Sequence, residues 1–149
     1  MMSTVALKRA WAADLDTATL YKLLKLRVEV FVVEQKCAYP ELDGLDLLPE
    51  TRHLWLDDEG EAISTLRLLE EHEDGVKSFR IGRLCTAPSA RGHGYTTRLL
   101  QAALAETGSA TVRLSAQTYL IDMYKKHGFE ADGEEYIEDG IPHIPMRRG

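Results

Sequence analysis

Arg91-Gly92-His93-Gly94 is the stretch of this 149-residue chain whose residue types and spacing most directly suggest chemistry. A strand-like run ending Leu84-Cys85-Thr86-Ala87-Pro88 leads into it. After it, Leu99, Leu100, Ala103 and Leu104 fall at helical spacing. A helix that opens here presents unpaired backbone N–H groups and the positive end of its dipole, the arrangement that holds phosphate. Glycine admits a close approach to the backbone, and Arg91 adds a fixed cation with a fork of donors. The mononucleotide phosphate loop is excluded, because no Gly-x-x-x-x-Gly-Lys-Ser/Thr run exists. The dinucleotide fingerprint fails as well: position 97 is Thr where it needs a small residue.

The elements that must position this turn read as follows. Val5 and Leu7 alternate in a first strand at 4–11. Asp16 caps a helix from about Thr17 to Val32, with Leu20, Leu23, Leu24, Val28 and Phe31 on one stripe. Residues 34–50, rich in acids, Pro and Gly, read as a long loop of the kind that is often functional. Strands at 52–57 and 62–69 form a hairpin about Asp58-Glu59-Gly60, and 76–87 is a long strand ended by Pro88. After the turn and its helix come a short buried strand at 112–116, a short helix at 119–127 stopped by Gly128, and two strands around Asp139-Gly140. The order predicts an α/β (α+β) domain with a mixed sheet, and one domain over residues 1–149.

Composition narrows the classes. The net charge of -6 argues against a broad nucleic-acid binder. No stretch approaches the ~18 apolar residues of a membrane span, and the N-terminal residues lack the apolar core of a signal peptide, so a cytoplasmic, membrane-free protein is expected. Two separated cysteines make no disulfide framework, and the His and Cys residues are too scattered for a metal site.

Leu84-Cys85-Thr86-Ala87-Pro88 followed by Arg91-Gly92-His93-Gly94-Tyr95-Thr96 resembles motif A of the GNAT superfamily of N-acetyltransferases, in which Arg91 and Gly94 match and Thr96 stands where Gly or Ala is preferred. Residues 119–129, Tyr-Leu-Ile-Asp-Met-Tyr-Lys-Lys-His-Gly-Phe, resemble motif B. Arg27–Cys37, Tyr39–Asp43, Ala116-Gln117 and Asp139–His143 extend the likeness to the ElaA-like branch, over roughly residues 17 to 148.

The resemblance implies a mostly antiparallel sheet of about six to seven strands flanked by helices. It also implies transfer of an acetyl group from acetyl-CoA directly to an amine: a small molecule, a peptide terminus or a lysine. Arg91, Gly92, His93, Gly94, Tyr95 and Thr96 would hold the pyrophosphate. Leu84, Cys85 and Thr86 would pair with the pantetheine arm as an added strand, and Gln117 would hydrogen-bond it. The Leu84 N–H would serve the oxyanion, and Tyr124 would protonate the departing thiolate. For the base that takes the ammonium proton, Glu34, Asp43, Asp46, Glu138 and His143 are candidates. Glu34 is expected to be partly buried, with a raised pKa, and His143 has a suitable intrinsic pKa. Cys85 is expected to be a small hydrophobe, and His53 and Trp55 to be packing residues. The acids Glu41, Asp43, Asp46 and Glu50 would suit a cationic acceptor, and a homodimer is compatible with everything above. The competing readings are a non-catalytic acyl-CoA-binding sensor or regulatory module, and an interaction domain whose glycine turn binds nothing.

Overall fold

The structure, a computed structural model, describes residues 4–149. Residues 1–3, part of the N-terminal stretch read above for a leader, lie outside the described residues. The strands are β1 (Val5–Trp11), β2 (Arg52–Asp58), β3 (Glu61–Glu73), β4 (Val76–Thr86), β5 (Val112–Gln117), β6 (Glu130–Ala131), β7 (Tyr136–Glu138) and β8 (Ile141–Arg148). The helices are α1 (Thr17–Arg27), α2 (Tyr95–Thr107) and α3 (Ile121–Lys125). All eight strands join one sheet in the order β1-β2-β3-β4-β5-β8-β6, with β7 also on β8. The count exceeds the expected six to seven because β6, two residues long, is too short to leave a periodic pattern. Every pairing is antiparallel except β4 with β5.

Two apolar clusters show where the helices sit. Leu99, Leu100 and Ala103 of α2 and Tyr124 of α3 pack with Leu54, Leu66, Ile81 and Leu114 of the sheet. Leu26 and Val30 pack with Cys85 in a second, smaller cluster. Strand side chains alternate between faces, so Leu84, which joins the first cluster, and Cys85, in the second, put α2 and α3 on one face and α1 on the other.

Asp16 caps α1 as expected, accepting from the Thr19 N–H at 2.7 Å. The helix differs from its reading in two ways. After Arg27 it widens into a π-helix, Val28–Glu34, a rare form that is frequent at functional sites. Its buried face is Leu23, Leu26, Arg27 and Val30, so an arginine occupies the stripe that the apolar spacing had assigned to Leu24 and Val28.

Arg27 is buried because the 35–51 loop folds its acids inward over it. Its Nε donates to Glu41 at 2.7 Å, and its two terminal nitrogens donate to Asp46 at 2.5 and 3.1 Å. Arg67 donates to Asp43 at 2.7 and 2.8 Å and to Asp46 at 3.2 Å, while Arg83 donates to Glu41 at 2.9 Å and Asp43 at 3.3 Å. The Tyr39 hydroxyl bonds Glu41, and buried His53 donates Nε2–H to the Asp46 carbonyl at 3.0 Å. Thus His53 is held by a polar bond as well as by packing. Leu42, Leu45, Leu47 and Leu48 of the same loop are exposed. The loop is inverted relative to ordinary surface chain in that Glu41 and Asp46 are buried while these leucines are out; Asp43 and Glu50 stay exposed.

Hydrogen bonds from Arg67 hold the Asp43 carboxyl at about 2. Burial pushes Asp46 up, but bonds from Arg27 and charge from Arg67 outweigh it and leave that carboxyl lowered. A depressed folded pKa contributes stability that is present above the unfolded value, near ~4, and is lost as pH falls through the folded value. The urea midpoint is therefore expected to fall between about pH 4 and pH 2 through these two groups, with a shallower slope in Asp43→Asn. Removing one member of a buried ion cluster leaves the others unpaired, so Arg27→Ala is expected to lower unfolding free energy by about 3–5 kcal/mol in urea titration near neutral pH.

Candidate active site

β4 and β5 run parallel but pair only at Phe79↔Val112 and Arg80↔Arg113 among the described residues. Beyond those positions they part, and their C-terminal ends flank a cleft. Gly82 marks the place on β4 where the course changes. Thr65 of β3 faces Cys85 and Arg67 faces Gly82, so Arg83 and Leu84 together oppose the single residue Leu66. This is a β-bulge, and Arg83 takes a left-handed φ of 54° within it. A non-glycine residue holds that conformation at a cost, here over-determined by the Arg83 bonds to Glu41 and Asp43. The bulge leaves Leu84 outside both registers, with its backbone on the β5 side unclaimed by any strand pairing.

The glycine turn closes one end of the cleft. Gly92 and Gly94 have φ of +84° and +76°, and a Cβ at either would meet nothing within 4 Å. Glycine is therefore required by the backbone conformation, and the space beside it is open. Thr86, Ala90, Arg91, Gly92, Gly94, Tyr95, Thr96 and Thr97 line a cavity of about 220 Å³ there. Gly94 is the N-cap of α2 and supplies no side-chain partner, so the first-turn N–H groups of the helix face this cavity without a cap. His93 stacks on Tyr95 at 5.5 Å along the rim.

Thr96, the departure from the motif, lines this cavity with its hydroxyl engaged by β4. Its hydroxyl bonds Thr86 Oγ1 at 2.9 Å, Thr86 bonds Ser64 at 2.8 Å, and Ser64 donates to the Cys85 carbonyl at 3.0 Å. The threonine thus fastens the first turn of α2 to β4 and β3. Ser64 carried no signal in the sequence, because its partners are 21 and 22 residues away.

Tyr124 is buried against Phe129, edge to face at 5.9 Å, and shares the apolar cluster that Leu84 packs on. Burial pushes its phenol above the usual range, so it keeps its proton. No hydrogen bond to its hydroxyl is found among the described residues. Burial also pushes the Cys85 thiol up to about 12, which agrees with a small hydrophobe and not a nucleophile.

Gln117, the last residue of β5, exchanges amide hydrogen bonds with Gln35 at 3.3 and 3.4 Å, and is the register partner of His143. His143 is buried. Its Nδ1 sits 2.7 Å from the Ile141 carbonyl, which can only accept, so Nδ1 carries a hydrogen and Nε2 is the nitrogen at which the ring gains or loses a proton. Nε2 lies 3.7 Å from Glu138, and the ring stacks on Tyr136 at 5.8 Å.

Two expectations are corrected. Glu34 is exposed, and its carboxyl is lowered, because hydrogen bonds from Arg91 at 2.6 and 2.7 Å stabilise the charged form. The apolar run before it buries Val30 but delivers Glu34 to the surface where the π-helix ends. Of the acids expected to suit a cationic acceptor Glu50 stays exposed, but Glu41, Asp43 and Asp46 offer no unpaired charge to a cation. All three are bonded to Arg27, Arg67 and Arg83, which also removes Asp43 and Asp46 as bases. The acidity of residues 41–46 was visible in sequence, but its arginine partners lie as far as 42 residues away.

A family model described as "Acetyltransferase (GNAT) domain" matches residues 21–148. The chain belongs to the GNAT family of acyltransferases. Within it, the relatives are of the ElaA-like kind. A UPF0039 protein of Mycobacterium tuberculosis is 64% identical over 146 residues, spanning 97% of this chain and 94% of that protein. Among solved structures, an acyl-CoA N-acyltransferase from Pseudomonas aeruginosa is 45% identical with a TM-score of 0.88, covering 97% of this chain and 99% of that one. Escherichia coli ElaA has the same TM-score and coverage at 34% identity. Among the described residues no helix is long and apolar enough to cross a membrane, and no group of His, Cys, Asp and Glu is placed to hold a metal.

Thr96→Ala, which moves the turn toward the family preference, is expected to lose one hydrogen bond and about 0.5–1.5 kcal/mol of stability, read as a lower melting temperature. Cofactor affinity should hold, because the hydroxyl is already engaged with Thr86 and the backbone N–H of residue 96 is kept.

Proposed function

We propose that this chain is an N-acetyltransferase, one domain acting in the cytoplasm, that passes the acetyl group of acetyl-CoA directly to an amine. The observation that carries this reading is the parting of β4 from β5 at the bulge, in line with a glycine turn that opens α2. An extended pantetheine arm suits the backbone edge of Leu84 and Thr86, with Gln117 opposite, and a pyrophosphate suits the free N–H groups of residues 92–97.

In this reading the amine nitrogen attacks the thioester carbonyl, forming the C–N bond and a tetrahedral oxyanion. The Leu84 N–H, aimed by the bulge, donates to that oxyanion. The intermediate collapses with loss of the C–S bond; the sulfur takes a proton from the Tyr124 hydroxyl, and the second proton of the former amine nitrogen passes through solvent to restore the phenol. Burial raises the proton affinity of phenol and thiol alike, as at Tyr124 and Cys85, so the interior keeps the two in their usual order. The proton of the incoming ammonium goes to His143 Nε2, directly or through water. That nitrogen is the available acceptor because Nδ1–H is committed to Ile141.

Acetyl-CoA at about 100 times its dissociation constant is expected to stabilise the wild type by roughly 2.7 kcal/mol, a rise of roughly 5–10 °C in melting temperature. Gly94→Trp, which fills the cavity at the turn, should abolish the rise. With an amine panel and a free-thiol readout, Tyr124→Phe should lower kcat by about 10²–10⁴ while keeping the thermal shift. A thermal shift without thiol release from any amine would instead indicate a cofactor-binding sensor. No shift in wild type would overturn the assignment of the cleft.

A further inference from the structure

Residues 34–37 cross the open end of the cleft. Glu34, the last residue of the π-helix, grips the Arg91 guanidinium through both carboxylate oxygens, at 2.6 and 2.7 Å. Gln35 is bonded to Gln117 at the end of β5, and Cys37 Sγ donates to the Asp139 carbonyl at 3.2 Å in the β7–β8 turn. Lys36, between them, holds a left-handed φ of 51°. The segment is a strap tied in turn to the glycine turn, the end of β5 and the terminal hairpin.

The first tie is the strong one, a bidentate charge-assisted pair. The others are amide bonds at 3.3 and 3.4 Å and a weak thiol donor. Yet Arg91 stands in the glycine turn. Its Nε is fixed on the Thr86 carbonyl at 3.1 Å, which sets the plane of the guanidinium, and the end-on fork that can take two oxygens at once is filled by Glu34. A phosphate offers a pair of anionic oxygens to that fork as a carboxylate does.

We propose that Glu34 is the resident counter-anion of Arg91, that the cofactor pyrophosphate exchanges with it, and that the exchange unties the 34–37 strap from the glycine turn. The proposal rests on the acyl-CoA reading of the cleft. Glu34 then has two effects. It lowers affinity for the cofactor by competing for Arg91, and it makes release of the strap depend on a donor that carries a pyrophosphate. A pantetheine thioester, which lacks the phosphates, reaches the β4 edge without displacing Glu34. Once displaced, the Glu34 carboxylate loses the hydrogen bonds that hold its proton affinity down, and becomes a better proton acceptor.

The test is calorimetric titration of CoA and of pantetheine into the wild type, Glu34→Gln, Arg91→Ala and the double variant, with the ligand-free melting temperature of each. Glu34→Gln is expected to bind CoA about two- to five-fold tighter, the scale of an exposed ion pair, with pantetheine unchanged. In the Arg91→Ala background the same change should have no effect on CoA. A purely structural Glu34 would lower the melting temperature and leave CoA binding equal or weaker, which would overturn the exchange. Tightening that persists without Arg91, or that is equal for pantetheine, would also overturn it, since Glu34 would then act by general charge. If wild type bound no CoA under any condition, the acyl-CoA reading would fall and this proposal with it.

Discussion

β4 and β5 share backbone hydrogen bonds at one end and part at the other, and the rest of the site follows from that divergence. Buried backbone N–H and C=O groups need partners, and a sheet ordinarily supplies them strand by strand. Here the pairing stops after two residues, so β4 presents an edge inside the sheet, not at its rim. Such an edge can be completed by an extended ligand, with the glycine turn and the start of α2 placed at its end to meet a phosphate. The two features belong together because one continuous stretch, residues 76–107, builds both.

Holding an opening of this kind requires that β4 not slide back onto β5. The bulge at Arg83 and Leu84 turns the strand, and Arg83 is fixed there by Glu41 and Asp43 of the inverted loop. Those acids are in turn shared with Arg27 on α1 and Arg67 on β3. The buried ion cluster therefore connects the helix, the loop and both strands of the bulge. Its desolvation is expensive and its net contribution to stability need not be large, but loss of any one member leaves the others stranded. That asymmetry suits a cluster whose task is to fix one geometry.

Local features were legible in the sequence. The glycine turn, the Asp16 cap, the hairpin about Asp139-Gly140 and the apolar face of α2 all follow from neighbours within a few residues, where propensity and spacing operate. What sequence could not give are the long-range polar pairs. Nothing local marks Arg27 as a buried charge, and Glu41, Asp43 and Asp46 read as an acidic surface, because nothing local says that they face one another. Glu34 was misjudged for the same reason: its partner Arg91 is 57 residues away. Gly82 within a strand was the one local hint of the bulge. The roles given to Leu84, Tyr124 and His143 rest on the family likeness and on chemistry, joined by geometry that brings Leu84 and Tyr124 into one cluster and ties His143 to the cleft through Gln117.

The central claim is that the gap between β4 and β5 takes the acyl-CoA arm as an added strand. Titration of isotopically labelled protein with acetyl-CoA, followed by amide NMR, tests it directly. The account predicts that the amides of Leu84 and Thr86 and those of residues 92–97 shift together at one dissociation constant, with the Leu84 amide gaining protection from exchange. Binding that moves amides of α1 or β1 and β2 while leaving Leu84 and the glycine turn unmoved would contradict it.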